Sequence, residues 1–552
     1  MPLVIMFILG AVIIGTGALL APAWSTEQPR IGLAAALALG LIVGGALFWA
    51  MLFGWDTLSV DYLLFALVTT IFLGGTLTYG QKRAEARGVS LADFQEGWTG
   101  PRDLVFLGVV ALVFVIPALL LPVPMDTDAQ GFGYLALMAR LGGTFDTLAP
   151  FHPEITYLYA PAFTALTAYL SQQLGQGIHI VQMSVGAVLG FVLVWLAYDF
   201  GSEVESKRLG RAMALAMLGG VGLFAAYMDS HYTTLLALVF ALAFLTYTLR
   251  FARRGSWLDA VAAGLMLGAT ALSHPDTTII LILGYVPWLL TMWLGSPKPT
   301  LRRWLVMALG IPALAVVAIS PWLLSIRPLL GSDITSPFER DPSYWRVMIL
   351  YHGIWLVPVA LIGAVVGLRR RSPVAILAVG WLILILDFST TGILERLAPW
   401  LVAPILRYDY PFSIAWHGPI IPYAILGGIG LLWLWDRLGA RADAALHRYA
   451  YALGGAVAAL AILAAALAPS LLALSRDRIG FYGAFASHDD VRAMTWLKEN
   501  APEDARILNY PAPYEGDWVP VISERDSVYF RPQPFFRGTE AAEAEQARLR
   551  AF

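Results

Sequence analysis

Long apolar runs separated by short polar segments dominate this chain. A helix that crosses the hydrocarbon core of a bilayer needs about 20 apolar residues. The apolar runs that approach this length lie at 3–23, 31–53, 60–80, 103–121, 178–199, 212–228, 233–250, 257–273, 277–294, 303–325, 347–367, 373–388, 408–436 and 449–470. The pattern predicts an all-α polytopic membrane protein with about fourteen transmembrane helices.

Basic residues predict the orientation of these spans. The Lys and Arg residues cluster near 82–102, 207–211, 250–254, 298–303, 369–371 and 437–448. The apolar stretch 157–174 is short and polar at Ser171-Gln172-Gln173, and if it crossed the membrane the first basic cluster would lie opposite all the others. We therefore predict a surface helix there, and the positive-inside rule places every basic loop in the cytoplasm. Both termini and the loop 122–177 are then extracytoplasmic.

The spacing of the runs suggests four parts. Residues 1–80 form a three-span N-terminal module, 81–102 a cytoplasmic linker, 103–475 the transmembrane core, and 476–552 an extracytoplasmic tail. The first run lacks a positive segment and a small-residue cleavage site, so we interpret it as a span rather than a signal peptide. The tail turns polar and predicts a small α/β domain, with an amphipathic helix from Asp489 to Asn500.

Composition narrows the functional classes. The chain is 58% hydrophobic and 13% charged, with a net charge of -2, whereas soluble domains carry about a quarter charged residues. No basic field favours nucleic acid as a partner. Cysteine is absent, which excludes disulfides and thiolate metal sites.

Two acidic turns carry the strongest candidate chemistry. Asp126 and Asp128 follow the run 103–121 and therefore lie at a membrane surface, where charge is costly and usually marks a site. Asp229 and His231 form another outer turn. These four residues are candidate ligands for a divalent cation such as Mg or Mn. The structural alternatives are a helix cap at Asp126 and a polar turn at the bilayer boundary.

Other polar residues of the outer segments are weaker candidates, because caps, turns or snorkelling would also explain them. They are His152, Glu154, His274, Asp276, Arg327 and Arg407. Arginine suits phosphate through its fork of donors, so Arg407 and Arg327, together with His274, are the candidate phosphate-binding residues.

The motifs resemble the GT-C superfamily of integral membrane glycosyltransferases, including the oligosaccharyltransferase catalytic subunit and the protein mannosyltransferase and aminoarabinose transferase families. Pro124-Met125-Asp126-Thr127-Asp128 matches the acidic motif after the first core helix, and Asp229-Ser230-His231 takes the place of the second acidic motif, with His where an acidic residue is more usual. Arg407 resembles the arginine that binds the lipid phosphate, and Trp496–Pro502 resembles the start of the outer tail.

The resemblance implies a GT-C-like core with extracytoplasmic surface helices. It also implies transfer of a sugar, with inversion, from a polyprenyl-phosphate-linked donor to a glycan, lipid or protein acceptor at the outer face of the cell membrane. Asp126 or Asp128 would act as general base, and Arg407 with His274 would stabilise the leaving phosphate. The metal requirement, the sugar and the oligomeric state stay open.

Two other functional classes stay open at this stage. A polytopic transporter or lipid flippase also has many spans and few charges, but its ionisable groups should lie within the bilayer. A non-catalytic subunit of an envelope-assembly complex would not require acidic, His and Arg residues gathered at one face.

Overall fold

The computed structural model describes residues 1–24, 30–54, 57–85, 101–294, 298–329, 339–400, 411–439, 486–509, 518–529 and 536–550. The chain is an all-α polytopic membrane protein. In these ranges nine helices are long and apolar enough to cross a membrane, or ten if one bent pair counts as a single span. Three shorter apolar helices accompany them. The exact number of fourteen stays a prediction, because the expected span 449–470 lies outside the described residues.

The first half of the chain contains eleven helices and one hairpin. They are α1 (Pro2–Trp24), α2 (Ile31–Phe53), α3 (Thr57–Glu85), α4 (Pro101–Leu120), α5 (Thr127–Gly142), β1 (Thr147–Leu148), β2 (His152–Tyr157), α6 (Ala162–Leu174), α7 (Ile178–Val204), α8 (Lys207–Gly219), α9 (Val221–Met228), α10 (Tyr232–Arg254) and α11 (Trp257–Ser273).

The second half of the chain contains more short helices than the first half. Its elements are α12 (Pro275–Thr291), α13 (Leu301–Leu305), α14 (Ile311–Ala318), α15 (Ser320–Ile326), α16 (Trp345–Leu350), α17 (Leu356–Arg369), α18 (Pro373–Leu386), α19 (Ile393–Leu397), α20 (Pro411–His417), α21 (Ile420–Gly439), α22 (His488–Asn500), β3 (Arg506–Ile507), α23 (Val519–Ser523), β4 (Asp526–Ser527), β5 (Phe536–Arg537) and α24 (Glu540–Arg550).

The stretch 157–174 differs from its predicted form. Its N-terminal end continues the strand β2, and α6 is 13 residues long, too short to span a bilayer. The helix is largely covered by the protein, because Ala162–Ala168 and Ser171 are all buried where α6 packs against α2, α5 and α7. Its place at the outer surface of the membrane stays a prediction.

The predicted span 347–367 is interrupted. The short helix α16 ends at Leu350, the chain turns at Gly353 with φ of 88°, and α17 begins only at Leu356. Close packing stabilises this break, because the Trp355 indole donates to the Gly219 carbonyl at 3.0 Å. A side chain at Gly222 would overlap the imidazole of His352. The break brings Tyr351 and His352 to the end of the bundle where α9 meets α10.

The C-terminal tail is joined to the segment between α5 and α6. The strand β5 pairs antiparallel with β2, which pairs in turn with β1, while β3 and β4 form a separate parallel pair. Glu524 forms ion pairs with Arg140 of α5 at 2.5 Å and with Lys498 of α22 at 2.6 Å. The tail therefore packs on the helix α5, whose N-terminus carries Asp126 and Asp128.

Buried charges occupy the opposite end of α10. This buried ion cluster consists of Arg30, Asp199, Glu203, Arg250 and Asp259, all at most 6% exposed. Asp199 accepts the Leu33 N–H at 3.0 Å and so caps α2 from another helix. With α2 packed against α7, α10 and α11, the second predicted span is an integral part of the bundle. The division of the chain into a 1–80 module and a core stays a prediction.

Candidate active site

Two polar turns meet at one end of the bundle. Asp126 caps α5, its Oδ1 accepting the Asp128 N–H at 3.4 Å and the Thr127 hydroxyl at 3.0 Å. The Asp126 N–H in turn donates to the hydroxyl of Ser230 at 3.3 Å. Ser230 is fully buried and has φ of 61°, a left-handed conformation that is uncommon outside glycine. This contact joins the acidic motif to the Asp229–His231 turn.

The closest charged contact in this group is an ion pair. His231 Nδ1 lies 2.9 Å from Asp128 Oδ2, with 21% of the His231 side chain and 43% of the Asp128 side chain exposed. Burial alone would lower the pKa of His231. The hydrogen bond with Asp128 and the charges of Asp128, Asp229 and Asp126 outweigh burial and raise it to about 9. His231 is therefore an imidazolium at neutral pH.

The two other carboxyl groups have less favourable surroundings. Burial raises the pKa of Asp229 to about 6, with the charges of Asp126 and Asp128 adding to the effect. The Tyr351 hydroxyl donates to Asp229 Oδ2 at 3.1 Å. Burial also raises the pKa of Asp126, and the neighbouring charge of Asp128 raises it further. We call Asp126, Asp128, Asp229 and His231 the acidic group, in which three carboxyl groups share one imidazolium.

Two more histidines border the acidic group. The ring centroid of His417 lies 4.5 Å from that of His231 and 6.5 Å from that of His274. His274 caps α12, its Nδ1 accepting the Thr277 N–H at 3.0 Å. Burial lowers the pKa of His274 to about 3, so His274 is neutral and its other ring nitrogen carries the proton. His274 can therefore donate a hydrogen bond but carries no positive charge.

The other predicted site residues have different surroundings. His152 and Glu154 are on β2 rather than in a loop, 3.3 Å apart, and His152 faces Asp526 of the tail at 3.7 Å. Both therefore belong to the contact between loop and tail. Asp276 is half-buried in the first turn of α12. Arg327 is exposed just beyond α15, and Arg407 lies outside the described residues.

The sequence pattern does not identify Tyr351, Trp416 and His417 as site residues. Each has an aromatic ring and lies inside an apolar run that predicts one continuous span, at 347–367 or 408–436. The structure interrupts the first run between α16 and α17, whereas the second run stays one candidate span with a two-residue turn between α20 and α21. The available signal was the adjacent aromatic and imidazole side chains of Tyr351-His352 and Trp416-His417, each followed closely by glycine.

The predicted metal ligands carry donors of the right chemical kind, since carboxylate oxygens and imidazole bind divalent cations. Among the residues that the structure describes, however, no three His, Asp or Glu side chains are positioned to hold one metal ion. His231 Nδ1 is instead paired with Asp128. The described arrangement is not a formed metal site, and the cation stays a prediction.

Comparison with known proteins provides a structural likeness but no match at the level of sequence. No protein-family model matches the chain, and no curated protein matches it significantly. A solved structure of archaeal oligosaccharyltransferase AglB from Archaeoglobus fulgidus, in complex with an inhibitory peptide and a dolichol-phosphate, aligns with 77% of this chain at 14% identity and a TM-score of 0.46. The chain spans only 64% of the length of that protein.

ArnT from Cupriavidus metallidurans is more similar in structure. Its apo form aligns with a TM-score of 0.56 at 14% identity, covering 81% of this chain and 88% of ArnT. The form bound to undecaprenyl phosphate aligns with a TM-score of 0.52 at 15% identity over the same shares. At this identity the likeness is one of fold, and it shows that the chain shares a polytopic membrane fold with ArnT.

Proposed function

We propose that this protein is a membrane glycosyltransferase that moves a sugar from a polyprenyl-phosphate-linked donor to an acceptor on the extracytoplasmic face. The observation that carries the proposal is the acidic group, where the Asp126–Asp128 motif and the Asp229–His231 turn meet at the end of the bundle. Its support is the fold shared with ArnT, one of whose structures holds undecaprenyl phosphate.

Asp128 is the better placed of the two proposed bases. The Oδ1 of Asp126 already accepts two local hydrogen bonds, whereas 43% of the Asp128 side chain is exposed. A general base must reach the proton it removes, and the exposed carboxylate can do so. Asp126 then fixes the start of α5, while His231 orients the Asp128 carboxylate.

The proposed reaction is a single displacement. The acceptor oxygen attacks the anomeric carbon, the bond from that carbon to the phosphate oxygen breaks, and the acceptor proton passes to Asp128. Attack from the face opposite the leaving group inverts the anomeric configuration. Positive charge develops on the sugar in such transition states. The excess of carboxylates in the acidic group would stabilise this charge.

The leaving phosphate requires donors on the other side of the sugar. His274, which is neutral and able to donate, is close enough to the acidic group for its pKa to sense His231 and Asp128. Arg407 remains the proposed cationic partner, on the strength of its place in the sequence. Arg327 shows no contact with the acidic group among the described residues, and we assign the phosphate to Arg407 and His274.

The test is transfer in proteoliposomes from a panel of radiolabelled polyprenyl-phosphate sugars, with cell-envelope extract as acceptor. Asp128→Asn should reduce transfer by about 100-fold or more, the usual range for loss of a general base, and Asp126→Asn should reduce it less. Asp489→Asn, on the exposed face of α22, is the matched carboxylate control. A chelator arm tests the predicted cation. Transfer that is indifferent to both site substitutions would contradict the proposal.

A further inference from the structure

A row of aromatic side chains leads away from the acidic group. The Trp416 ring centroid is 6.1 Å from that of His231, 4.4 Å from that of Tyr351 and 4.5 Å from that of Phe412. Phe412 in turn lies 5.3 Å from Tyr344. Because α20 carries Trp416 and Phe412 one turn apart, the two rings lie on the same side of the helix. The row therefore starts at the imidazolium that pairs with Asp128.

These aromatic rings are not fully buried in the core. Trp416, Phe412, Tyr351 and Tyr344 are each partly exposed, while Ile414 and Ala415 of the same short helix are fully buried. The helix α20 thus directs its aliphatic side chains into the bundle and leaves aromatic surface accessible beside the carboxylates. Aromatic surface of this kind can receive the apolar face of a ligand.

One buried polar atom beside the row has no protein partner. His417 is 3% exposed, and its Nε2 makes no hydrogen bond within the described part of the chain. Its Nδ1 lies 3.4 Å from the Ser413 hydroxyl. A buried polar atom without a partner is costly. A ligand hydroxyl that bonded to Nε2 would remove this penalty.

A sugar ring combines the properties that this surface requires. Its C–H face is apolar and packs on aromatic rings, while its rim of hydroxyl groups both donates to carboxylates and bonds to imidazole. Ligand sites commonly pair an apolar wall with a few placed polar groups. A prenyl chain would cover Trp416 equally well, but it would leave the Nε2 of His417 unpaired.

The charge of the neighbouring group limits the kind of sugar. Three carboxyl side chains, Asp126, Asp128 and Asp229, lie at this site, and one of them pairs with His231. Like charges a few Å apart in a partly buried site repel each other strongly. A sugar that carries its own carboxylate would therefore be repelled.

We infer that Trp416 and His417 form the subsite for the transferred sugar, and that this sugar is not a uronic acid. Trp416 packs on the C–H face of the ring, and His417 Nε2 bonds to one of its hydroxyls. The inference rests on the proposed function, because it presumes that the ligand at the acidic group is a glycosyl donor.

The experiment measures binding of water-soluble short-chain prenyl phosphates to the purified full-length protein in detergent. The probes carry glucose, galactose, mannose, N-acetylglucosamine, arabinose or glucuronic acid, and one carries no sugar. Trp416→Ala should weaken binding of the preferred neutral-sugar probe by about five- to tenfold, as expected for loss of an aromatic contact. Binding of the sugar-free probe should not change, and the glucuronyl probe should bind no better than the sugar-free one.

Variants separate ring stacking from damage to the fold. Trp416→Phe keeps an aromatic face and should recover most of the affinity. His417→Gln should weaken only the probes with a sugar. Trp435→Ala removes an exposed tryptophan at the far end of the same predicted span and is the matched control. In transfer assays Trp416→Ala should raise KM more than it lowers kcat, because stacking stabilises ground state and transition state alike.

The outcomes distinguish failure of the sugar-subsite inference from failure of the proposed glycosyltransferase function. Equal loss for sugar-bearing and sugar-free probes would assign Trp416 to the prenyl chain and overturn the inference, as would unchanged affinity for all probes or preferential binding of glucuronic acid. Transfer with no effect of Trp416→Ala on donor affinity would leave the function standing without this subsite. Selective binding that depends on Trp416, with no transfer to any acceptor, would leave the subsite standing without the function. Failure of every probe to bind would contradict both.

Discussion

The two ends of α10 carry buried charge in opposite arrangements. At its C-terminal end, in the buried ion cluster, Asp199 accepts from the backbone of α2, and Arg250 lies 3.6 Å from Asp259. At its N-terminal end, three carboxyl groups of the acidic group share one imidazolium at His231. Each carboxylate of the buried ion cluster thus has a cation or a backbone donor of its own, since Glu203 pairs with Arg254 at 2.8 Å. An excess of one sign is costly and is retained where a ligand or a reaction needs it.

The largest expected effect on sugar transfer is that of substituting Asp128. Asp128→Asn should abolish nearly all transfer, by about 100-fold or more, while thermal stability in detergent changes little, because removal of a like charge next to Asp126 offsets the loss of the ion pair with His231. The measurement is transfer rate per folded molecule together with the unfolding midpoint. A variant that loses activity and stability in parallel would show that Asp128 is a structural carboxylate like those of the buried ion cluster.

The opposite result is expected at Asp199. Asp199→Ala leaves the Leu33 N–H and Arg30 without this carboxylate, and breaking a buried charge pair typically costs about 3–5 kcal/mol. The free energy of unfolding should fall by that amount, while kcat per folded molecule stays unchanged. Asp199→Asn keeps an oxygen that can accept from the backbone and should lose less. Equal stability of wild type and Asp199→Ala, measured by denaturant titration in micelles, would remove the structural role.

A smaller and pH-dependent effect is expected at Asp229. Burial raises the pKa of this carboxyl from 3.8 to about 6, so the folded protein binds its proton more tightly than the unfolded chain does. Stability should therefore fall as pH rises from about 4 to about 6 and stay lower above that range. Asp229→Asn cannot ionise, and above pH 6 it should be more stable than wild type by at most about 3 kcal/mol.

This gain should disappear below about pH 3, where the wild-type carboxyl is protonated in both states. Unfolding midpoints of the two proteins at several pH values test the prediction, with the exposed Asp489→Asn as control. A gain that is constant with pH would show that ionisation of Asp229 is not its cause.

The sequence was sufficient to predict the features that depend on the local pattern of apolar and charged residues. Apolar length predicted the membrane fold, and a charge beside an apolar run identified Asp126, Asp128, Asp229 and His231, which the structure brings together. The pattern could not show that Asp126 accepts local hydrogen bonds while Asp128 pairs with His231, because that difference depends on contacts between distant turns.

The sequence pattern does not predict the breaks in the helices, for a related reason. Hydropathy averages over a window, so 347–367 and 408–436 read as continuous spans although each contains a turn. The first turn depends on the contact of Trp355 with Gly219, more than a hundred residues away. The sequence therefore does not predict Tyr351 and His417 as site residues. It places Arg250 in a cytoplasmic loop, although Arg250 is buried beside Asp259.

The smallest effect is expected where charges are matched but exposed. Arg208 and Asp436 form an ion pair with 57% and 49% of their side chains exposed, at the same end of the bundle as the buried ion cluster. Solvent and salt screen such a pair, and exposed pairs typically contribute about 0–1 kcal/mol. Arg208→Gln should therefore shift the free energy of unfolding by less than about 1 kcal/mol and leave transfer unchanged. Measured beside Asp199→Ala under the same conditions, this variant tests whether burial determines how much a paired charge contributes to the free energy of unfolding. A loss as large as that of Asp199→Ala would mean that pairing stabilises this end of the bundle regardless of exposure, and the excess of carboxylates at the other end would then need an explanation other than their burial.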